Sequence, residues 1–307
     1  MKYIVKLSLS LLMGLLAGNA HAQDKVFIAD SVMAAYMESG YANKHFLPKG
    51  SYKGEKRVGK WKDYEVRFDN VFVLSSKDEP KVLNSVFLVY GLGKYDNDQR
   101  EGEWKEYVIE DKTFEKIHFR TATYVNGKQE GVMTYFFPNG KVAGKLKFVD
   151  DQLNGQYEQY FIDGSVFIKG EFVNDNREGI VTTYFYSGQV RSKANYLNDS
   201  LNGEYILYYE DGKTQMYAEY KKGLDHGAYR YYRESGQLWT EKHYNEGLLM
   251  NVRTYDKTGK EIDNGTLKDG NGTVKYFQKS GEVYLTETYE NGKLVDEKRS
   301  EDGEFRW

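Results

Sequence analysis

The chain contains no cysteine and only three prolines among its 307 residues. The absence of cysteine excludes thiol nucleophiles, disulfide scaffolds and cysteine-ligated zinc sites. The scarcity of proline is compatible with continuous hydrogen-bonded strands. The net charge is only −3, so electrostatic binding to nucleic acid is not expected.

The N-terminus has the three parts of an export signal. Lys2 and Lys6 precede an apolar or small-residue run, Leu7–Gly18, and Ala20-His21-Ala22 fits the small-residue cleavage rule. A membrane anchor is the alternative, but this run is too short to span a bilayer, which takes about 20 residues. We therefore predict a signal peptide over 1–22, an exported protein that is periplasmic, secreted or at the cell surface, and no transmembrane segment after cleavage.

Much of the remaining chain repeats with a period of 24 residues. Several independent columns keep this period over more than 100 residues, which indicates internal duplication. The two clearest columns are a glycine column, Gly131, Gly155, Gly179, Gly203 and Gly227, and an aromatic column, Phe136, Tyr160, Tyr184, Tyr208 and Tyr232.

Each unit reads as two short strands and two turns. In residues 155–172 an aromatic strand is followed by an Asp-Gly turn and by a segment in which apolar and polar residues alternate. Such alternation is typical of a half-buried antiparallel strand, and Asx-Gly turns suit hairpins that need a positive φ. A small residue, Gly170, Ala194 or Ala218, precedes the last aromatic residue of this segment by two, which leaves room for a ring from a neighbouring strand.

We therefore predict an all-β fold, an elongated antiparallel β-meander of about nine 24-residue hairpin repeats over 51–307. The array has predicted insertions near 66–90 and 108–120 and an irregular stretch at 245–271. A short N-terminal helix is predicted within a cap or linker over 23–50.

Two adjacent aromatic columns must face opposite sides of a sheet. We expect the more constant column, which includes Tyr160, Tyr184, Tyr208 and Tyr232, to be core. The next column is the candidate for an exposed binding stripe, although both columns could pack instead. The residues of this predicted binding stripe are Phe137, Phe161, Phe185 and Tyr209.

Catalytic and metal-binding motifs are missing from the sequence. The histidines after the signal, at 45, 118, 226 and 243, lack metal-ligand spacing. No nucleophile elbow, phosphate-binding loop or EF-hand pattern occurs. His226 occupies a variable position before a repeat glycine and is interpreted as a surface turn residue. We predict no enzyme activity, no cofactor and no metal.

The repeat unit resembles a known family. The segment Phe172–Gly188 resembles the MORN repeat, and residues 124–144 and 289–297 are similar to the variant repeat of the bacterial YwqK-type antitoxin family. The resemblance covers about 52–297. It implies a β-hairpin scaffold used for protein contacts and sometimes lipid contacts, and it supplies no catalytic residue.

Three functions remain open at this stage. The first is a non-enzymatic exported repeat protein that offers an extended surface for protein–protein interaction or scaffolding, with an unknown protein partner in the cell envelope. The second is a cell-wall or glycan-binding protein that uses the aromatic stripe. The third is an antitoxin-like neutraliser of a toxin.

Overall fold

The computed structural model describes residues 49–73, 81–109, 116–278 and 281–300, with no side-chain detail for 64–88. Within these ranges the chain forms 20 β-strands and no helix. It divides into two compact units, unit 1 at Met1–Ser165 and unit 2 at Val166–Trp307. The predicted signal peptide and N-terminal helix lie outside the described residues.

Unit 1 is a meander of eight strands, each pairing antiparallel with the next one along the chain. The insertion predicted near 66–90 lengthens one hairpin, which pairs from Gly59 opposite Tyr95 to Val73 opposite Lys81. The strands are β1 (Lys49–Lys53), β2 (Lys56–Val73), β3 (Lys81–Asp96), β4 (Gln99–Ile109), β5 (Lys116–Val125), β6 (Lys128–Phe136), β7 (Val142–Val149) and β8 (Gln152–Tyr160).

Unit 2 is built from the same kind of hairpin and ends in a separate three-stranded sheet. The meander strands are β9 (Val166–Val173), β10 (Asn176–Tyr184), β11 (Val190–Leu197), β12 (Ser200–Tyr208), β13 (Thr214–Lys221), β14 (Leu224–Tyr232), β15 (Leu238–Asn245), β16 (Leu248–Tyr255) and the two-residue β17 (Glu261–Ile262). The small sheet contains β18 (Gly272–Phe277), β19 (Val283–Glu290) and β20 (Lys293–Arg299).

The predicted all-β antiparallel meander is confirmed. The stretch predicted as irregular, 245–271, is shorter in the structure, because β16 pairs with β15 from Leu248 to Thr254. Within the described part of unit 2, the hairpin pattern is interrupted only after β17, which pairs with the end of β16. Strand pairing therefore extends further along the chain than the recognisable 24-residue sequence pattern.

The predicted turns have the backbone conformations that their sequences require. Asn174 and Asp175 have φ of 48° and 67°, and Asn198 and Asp199 have φ of 48° and 65°. Two consecutive positive φ values define the type I′ turn, whose twist matches that of a two-residue hairpin. The Asn-Asp pairs are therefore explained by hairpin geometry.

The repeat glycines lie at bulges inside strands. At Gly179, with φ of 71°, the pairing of β10 with β9 shifts between Glu178 and Thr182. A residue with a Cβ is strained at this φ, so glycine is favoured there. The 24-residue glycine column thus marks one bulge in each repeat.

One face of the sheet in each unit carries the core, and we call it the packed face. In unit 1, Leu146 pairs with Met133 and Tyr157, and all three are buried. In unit 2, Ala218 lies opposite Tyr205 on one side and Tyr229 on the other and is fully buried. The prediction that small residues make room for neighbouring rings is confirmed. The alternate residues of each strand form the other side, which we call the open face.

Rings and guanidinium groups alternate in the first part of unit 1. Trp104 contacts Tyr95 and Tyr124, with ring centroids 5.0 and 6.5 Å apart. The Arg100 guanidinium lies 4.3 Å from the centre of the Trp104 ring. Edge-on ring pairs and stacked cations both add to the stability gained from burial.

A carboxylate is buried beside these rings. The side chain of Glu106 is 1% exposed and accepts hydrogen bonds from Arg100, at 2.8 Å, and from Arg120. The charge of Glu106 is one cause of the raised pKa of both arginines. Removing one partner from such a group leaves a buried charge uncompensated, which is costly.

Candidate interaction surfaces

The predicted binding stripe is buried in unit 1, which corrects the prediction that it is exposed. Phe137 and Phe161 are only 2% and 7% exposed. Phe137 lies on the packed face with Met133 and Tyr135, because alternate residues of β6 share a side. Its amide donates to the carbonyl of Lys141. Phe137 therefore closes a turn with its backbone and packs its ring on the packed face.

The other two members of the stripe belong to unit 2. Phe185 and Tyr209 close equivalent turns, with amide-to-carbonyl distances of 2.8 Å to Gln189 and Lys213. Both side chains are half-buried. A role of Phe185 and Tyr209 in ligand binding stays a prediction.

The aromatic column predicted as core faces the other way. Tyr160, Tyr184, Tyr208 and Tyr232 are half-buried, one residue before the turn-closing position and hence on the open face. The assignment of the two columns to core and surface is thus reversed in unit 1, whereas in unit 2 both columns are half-buried. The Tyr160 hydroxyl donates to Glu158, and burial followed by this bond raises the pKa of Tyr160 to about 12.

A run of stacked rings lies on the open face of unit 1. His118 lies between Tyr107 and Phe136, with ring centroids 5.0 and 4.4 Å away. Burial lowers the pKa of His118, and its Nε2 is 3.0 Å from the Thr121 hydroxyl. The neutral imidazole is thus held as a stacking partner for the two rings.

Exposed aliphatic side chains recur in matched groups of three on the open face. In unit 1, Val132 lies opposite Lys147. Lys147 and Val149 are alternate residues of β7 and therefore share the open face. In unit 2, Ile180 lies opposite Asn195, two residues before Leu197. We call the two groups the apolar triplets. They are Val125, Val132 and Val149 (46%, 54% and 40% exposed) and Val173, Ile180 and Leu197 (40%, 59% and 46% exposed).

The position before each bulge glycine has a structural role that we did not predict. Its side chain accepts a hydrogen bond from a backbone amide in the next hairpin turn but one, about 20 residues further on. Glu178 accepts from Asn198 at 3.1 Å, Asn202 from Lys222 at 3.2 Å and the Nδ1 of His226 from Glu246 at 3.4 Å. The sequence signal is that the residues before Gly131, Gly155, Gly179, Gly203 and Gly227 are all of types that can accept a hydrogen bond.

Tyrosines of the meander's packed face and of the small sheet gather near the end of unit 2, and we call this group the tyrosine cluster. It contains Tyr220, Tyr229, Tyr231, Tyr244, Tyr276 and Tyr289, all half-buried. The Tyr229 ring lies 5.4 Å from Tyr231 and 5.7 Å from Tyr244. Burial raises the pKa of Tyr244 to about 12.

Three charged side chains accompany these rings. The Glu287 carboxylate accepts hydrogen bonds from Tyr276 and Tyr289 at 2.8 and 2.7 Å. Burial lowers the pKa of Lys242, against the opposing pull of Glu287 and Asp225. Burial raises the pKa of Asp225. The cluster thus combines aromatic faces with two carboxylates and one amine.

Among the residues that the structure describes, no three histidine, aspartate or glutamate side chains are grouped so as to hold a metal ion. In the same part of the chain, no helix is long and apolar enough to cross a membrane.

Comparison with known families matches the hairpin units. The model of the MORN repeat variant matches four segments, residues 129–150, 177–198, 201–222 and 225–246. The chain carries MORN-variant repeats. Each matched segment spans a strand with a bulge glycine, the next strand and the turn that follows it. No curated protein matches the chain. The MORN-variant assignment is consistent with a repeat array suited to interaction.

Proposed function

We propose that this protein is a non-enzymatic, exported repeat scaffold whose open face binds a protein partner in the cell envelope. The apolar triplets carry the proposal, because each unit presents three aliphatic side chains at the same repeat register. Isolated exposed aliphatic residues are common on protein surfaces, but recurrent groups are typical of contact surfaces. Within one unit, a partner that spans adjacent hairpins would contact the three side chains of that group.

The repeat itself supplies conservative variants for a test. At the register of Val132 and Ile180, another repeat has Gln156, so the hairpin accepts glutamine. We propose Val132→Gln with Ile180→Gln in the mature chain, followed by affinity capture from the envelope fraction of its own organism and mass spectrometry. The expected result is loss of a specific protein that the unchanged chain enriches.

A matched control distinguishes specific binding by the triplets from nonspecific binding to the open face. Lys145 and Lys193 are exposed on the same open face, so Lys145→Gln with Lys193→Gln changes the surface without touching the triplets. The free energy of unfolding should change by about 0.5 kcal/mol or less in both double variants. Equal capture by the triplet variant and the unchanged chain would contradict the proposal.

A second candidate function follows from the tyrosine column on the open face of unit 2. Tyr184, Tyr208 and Tyr232 are half-buried on the open face at every second strand, a spacing of about 9.5 Å. Rings at a regular interval can stack on alternate sugars of an extended glycan. Sedimentation with purified cell wall tests this function. Tyr208→Ala should reduce it, whereas the triplet variant should not. An antitoxin-like role would be one kind of protein binding and stays a prediction.

Export is part of the same proposal and has its own test. Cleavage after Ala22 predicts that protein recovered from the envelope or the medium begins at Gln23. Intact-mass measurement of protein from each cell fraction decides this. Recovery of the chain with residues 1–22 still attached, in the cytosolic fraction alone, would contradict export.

A further inference from the structure

Two charges of the tyrosine cluster, Lys242 and Glu287, occupy a packing position that earlier repeats of unit 2 fill with Ala194 and Ala218. One row of cross-strand neighbours on the packed face contains Ala194, Tyr205, Ala218 and Tyr229 in turn, small and large residues alternating. The next place in that alternation calls for a small residue, and Lys242 occupies it opposite Tyr229. The repeat has therefore replaced a packing position with an amine.

The two carboxylates differ in what they replace. Asp225 precedes its bulge glycine by two residues, where the two preceding repeats have Arg177 and Leu201, so the residue type varies there. Glu287 precedes Tyr289 by two residues, as Ala218 precedes Tyr220. Packing does not require either carboxylate at these positions.

The cluster already holds a cation against an aromatic face. Lys242 Nζ lies 5.9 Å from the centre of the Tyr276 ring, whose hydroxyl donates to Glu287. The hydroxyl of Tyr220 also lies 3.4 Å from that of Tyr229. Tyrosine faces bordered by carboxylates attract a cation through both the ring quadrupole and the full charge.

The charges do not balance within the cluster. Asp225 and Glu287 carry two negative charges when ionised, and Lys242 supplies one positive charge. The half-buried rings leave aromatic surface accessible beside this excess negative charge. Charge complementarity therefore selects a cationic group over an anionic or a neutral one.

We propose that the tyrosine cluster binds an arginine or lysine side chain from an extended segment of a partner protein. This inference rests on the proposed function, since it names the chemistry that one part of the scaffold would recognise. A planar guanidinium suits the site best, because it stacks on tyrosine and pairs with a carboxylate at the same time. The partner's cation competes with Lys242 for Glu287 and Asp225.

The test uses the mature chain and a fluorescently labelled peptide of alternating arginine and serine. Glu287→Gln and, separately, Asp225→Asn should each weaken binding by about tenfold, the effect of losing one charged partner. Lys242→Ala should strengthen binding by a similar factor, because it removes the competing amine. The alanine variant is expected to fold, since Ala194 and Ala218 occupy the same column.

Controls make the result specific to this site. Glu204→Gln removes an exposed carboxylate from the open face of the same unit and should leave peptide affinity unchanged. A peptide of alternating glutamate and serine should not bind. Unchanged affinity in both Glu287→Gln and Asp225→Asn, or weaker binding by Lys242→Ala, would overturn the proposal.

The outcome is separable from that of the proposed function. Capture of a partner through the apolar triplets is measured with Val132→Gln and Ile180→Gln, which lie outside the tyrosine cluster. If capture depends on the triplets while peptide binding ignores the cluster charges, this inference alone fails. If peptide binding follows the charges while the triplets have no effect, the open-face proposal alone fails.

Discussion

The indole of Trp104 lies flat against the α-carbon of Gly93. A methyl group added at Gly93 would come within 2.2 Å of two carbon atoms of that ring. The indole nitrogen of Trp104 donates to the carbonyl of Lys94 at 3.1 Å, and this bond would be disturbed if the ring moved. Gly50 has the same relation to Trp61, 43 residues earlier.

Gly93→Ala should therefore destabilise unit 1 by about 3 kcal/mol, because the core cannot take the added volume without a shift of the ring. Gly91→Ala is the matched control, since its methyl group would stop 3.2 Å from Trp104 and should cost less. Denaturant unfolding of both variants measures the difference. Equal stability of the two variants would show that Trp104 can rearrange.

Replacing the buried carboxylate should be more damaging. Glu106→Gln keeps the shape but leaves Arg100 and Arg120 without their shared counter-charge, so we expect a loss of about 3–5 kcal/mol in the free energy of unfolding. Glu103→Gln serves as the control, because that side chain is 62% exposed and its pair with Lys105 lies in solvent. A loss below about 1 kcal/mol for Glu106→Gln would mean that the two arginines find water or other partners.

Substitutions at the acceptor position before the bulge glycine should lower stability in one repeat and raise it in another. Glu178→Ala removes the acceptor for the amide of Asn198 and should cost about 1 kcal/mol. His226→Asn replaces a long 3.4 Å contact with the residue type that serves at 202, and should gain about 0.5 kcal/mol. Thermal unfolding of the two single variants checks both signs, and a loss of stability in His226→Asn would contradict the assigned role.

High pH should unfold the protein through its tyrosines. Eleven of the described tyrosines have a pKa raised above 10.0, the ordinary value, in each case with burial as the main cause. The unfolded chain releases these protons near 10.0, whereas the folded chain retains them to higher pH. The unfolded state then binds fewer protons, so the free energy of unfolding falls as the pH rises above about 10.

Lys242 acts in the opposite sense over its own range. Its lowered pKa means that the unfolded chain binds the proton more tightly, so its contribution to stability rises with pH until about 10.5. Tyrosinate absorbance and circular dichroism, recorded together during an alkaline titration, test the tyrosine prediction. The expected result is ionisation that coincides with unfolding. Ionisation near pH 10 with the β-signal intact would contradict it.

The sequence by itself determined the hairpins of this protein. Turn type depends on two or three adjacent residues, so Asn174-Asp175 and its equivalents could be assigned locally. The role of the small residue in the alternating strand could also be predicted, because Ala218 makes room for a ring on the adjacent strand alone. Periodicity of 24 residues then extended each local assignment along the array.

Only the tertiary structure decided which face of the sheet is packed. Phe136 and Phe137 are both large and adjacent, so local pattern could not tell which ring lies inside. Which ring lies inside depends on the face to which the last residue of the strand points when the turn closes. It also depends on contacts with rings of neighbouring hairpins, which are distant in sequence. The same holds for the contact of His226 with the Glu246 amide and for that of Lys242 with Tyr276, because in both cases the partners belong to different hairpins and meet only in the folded array.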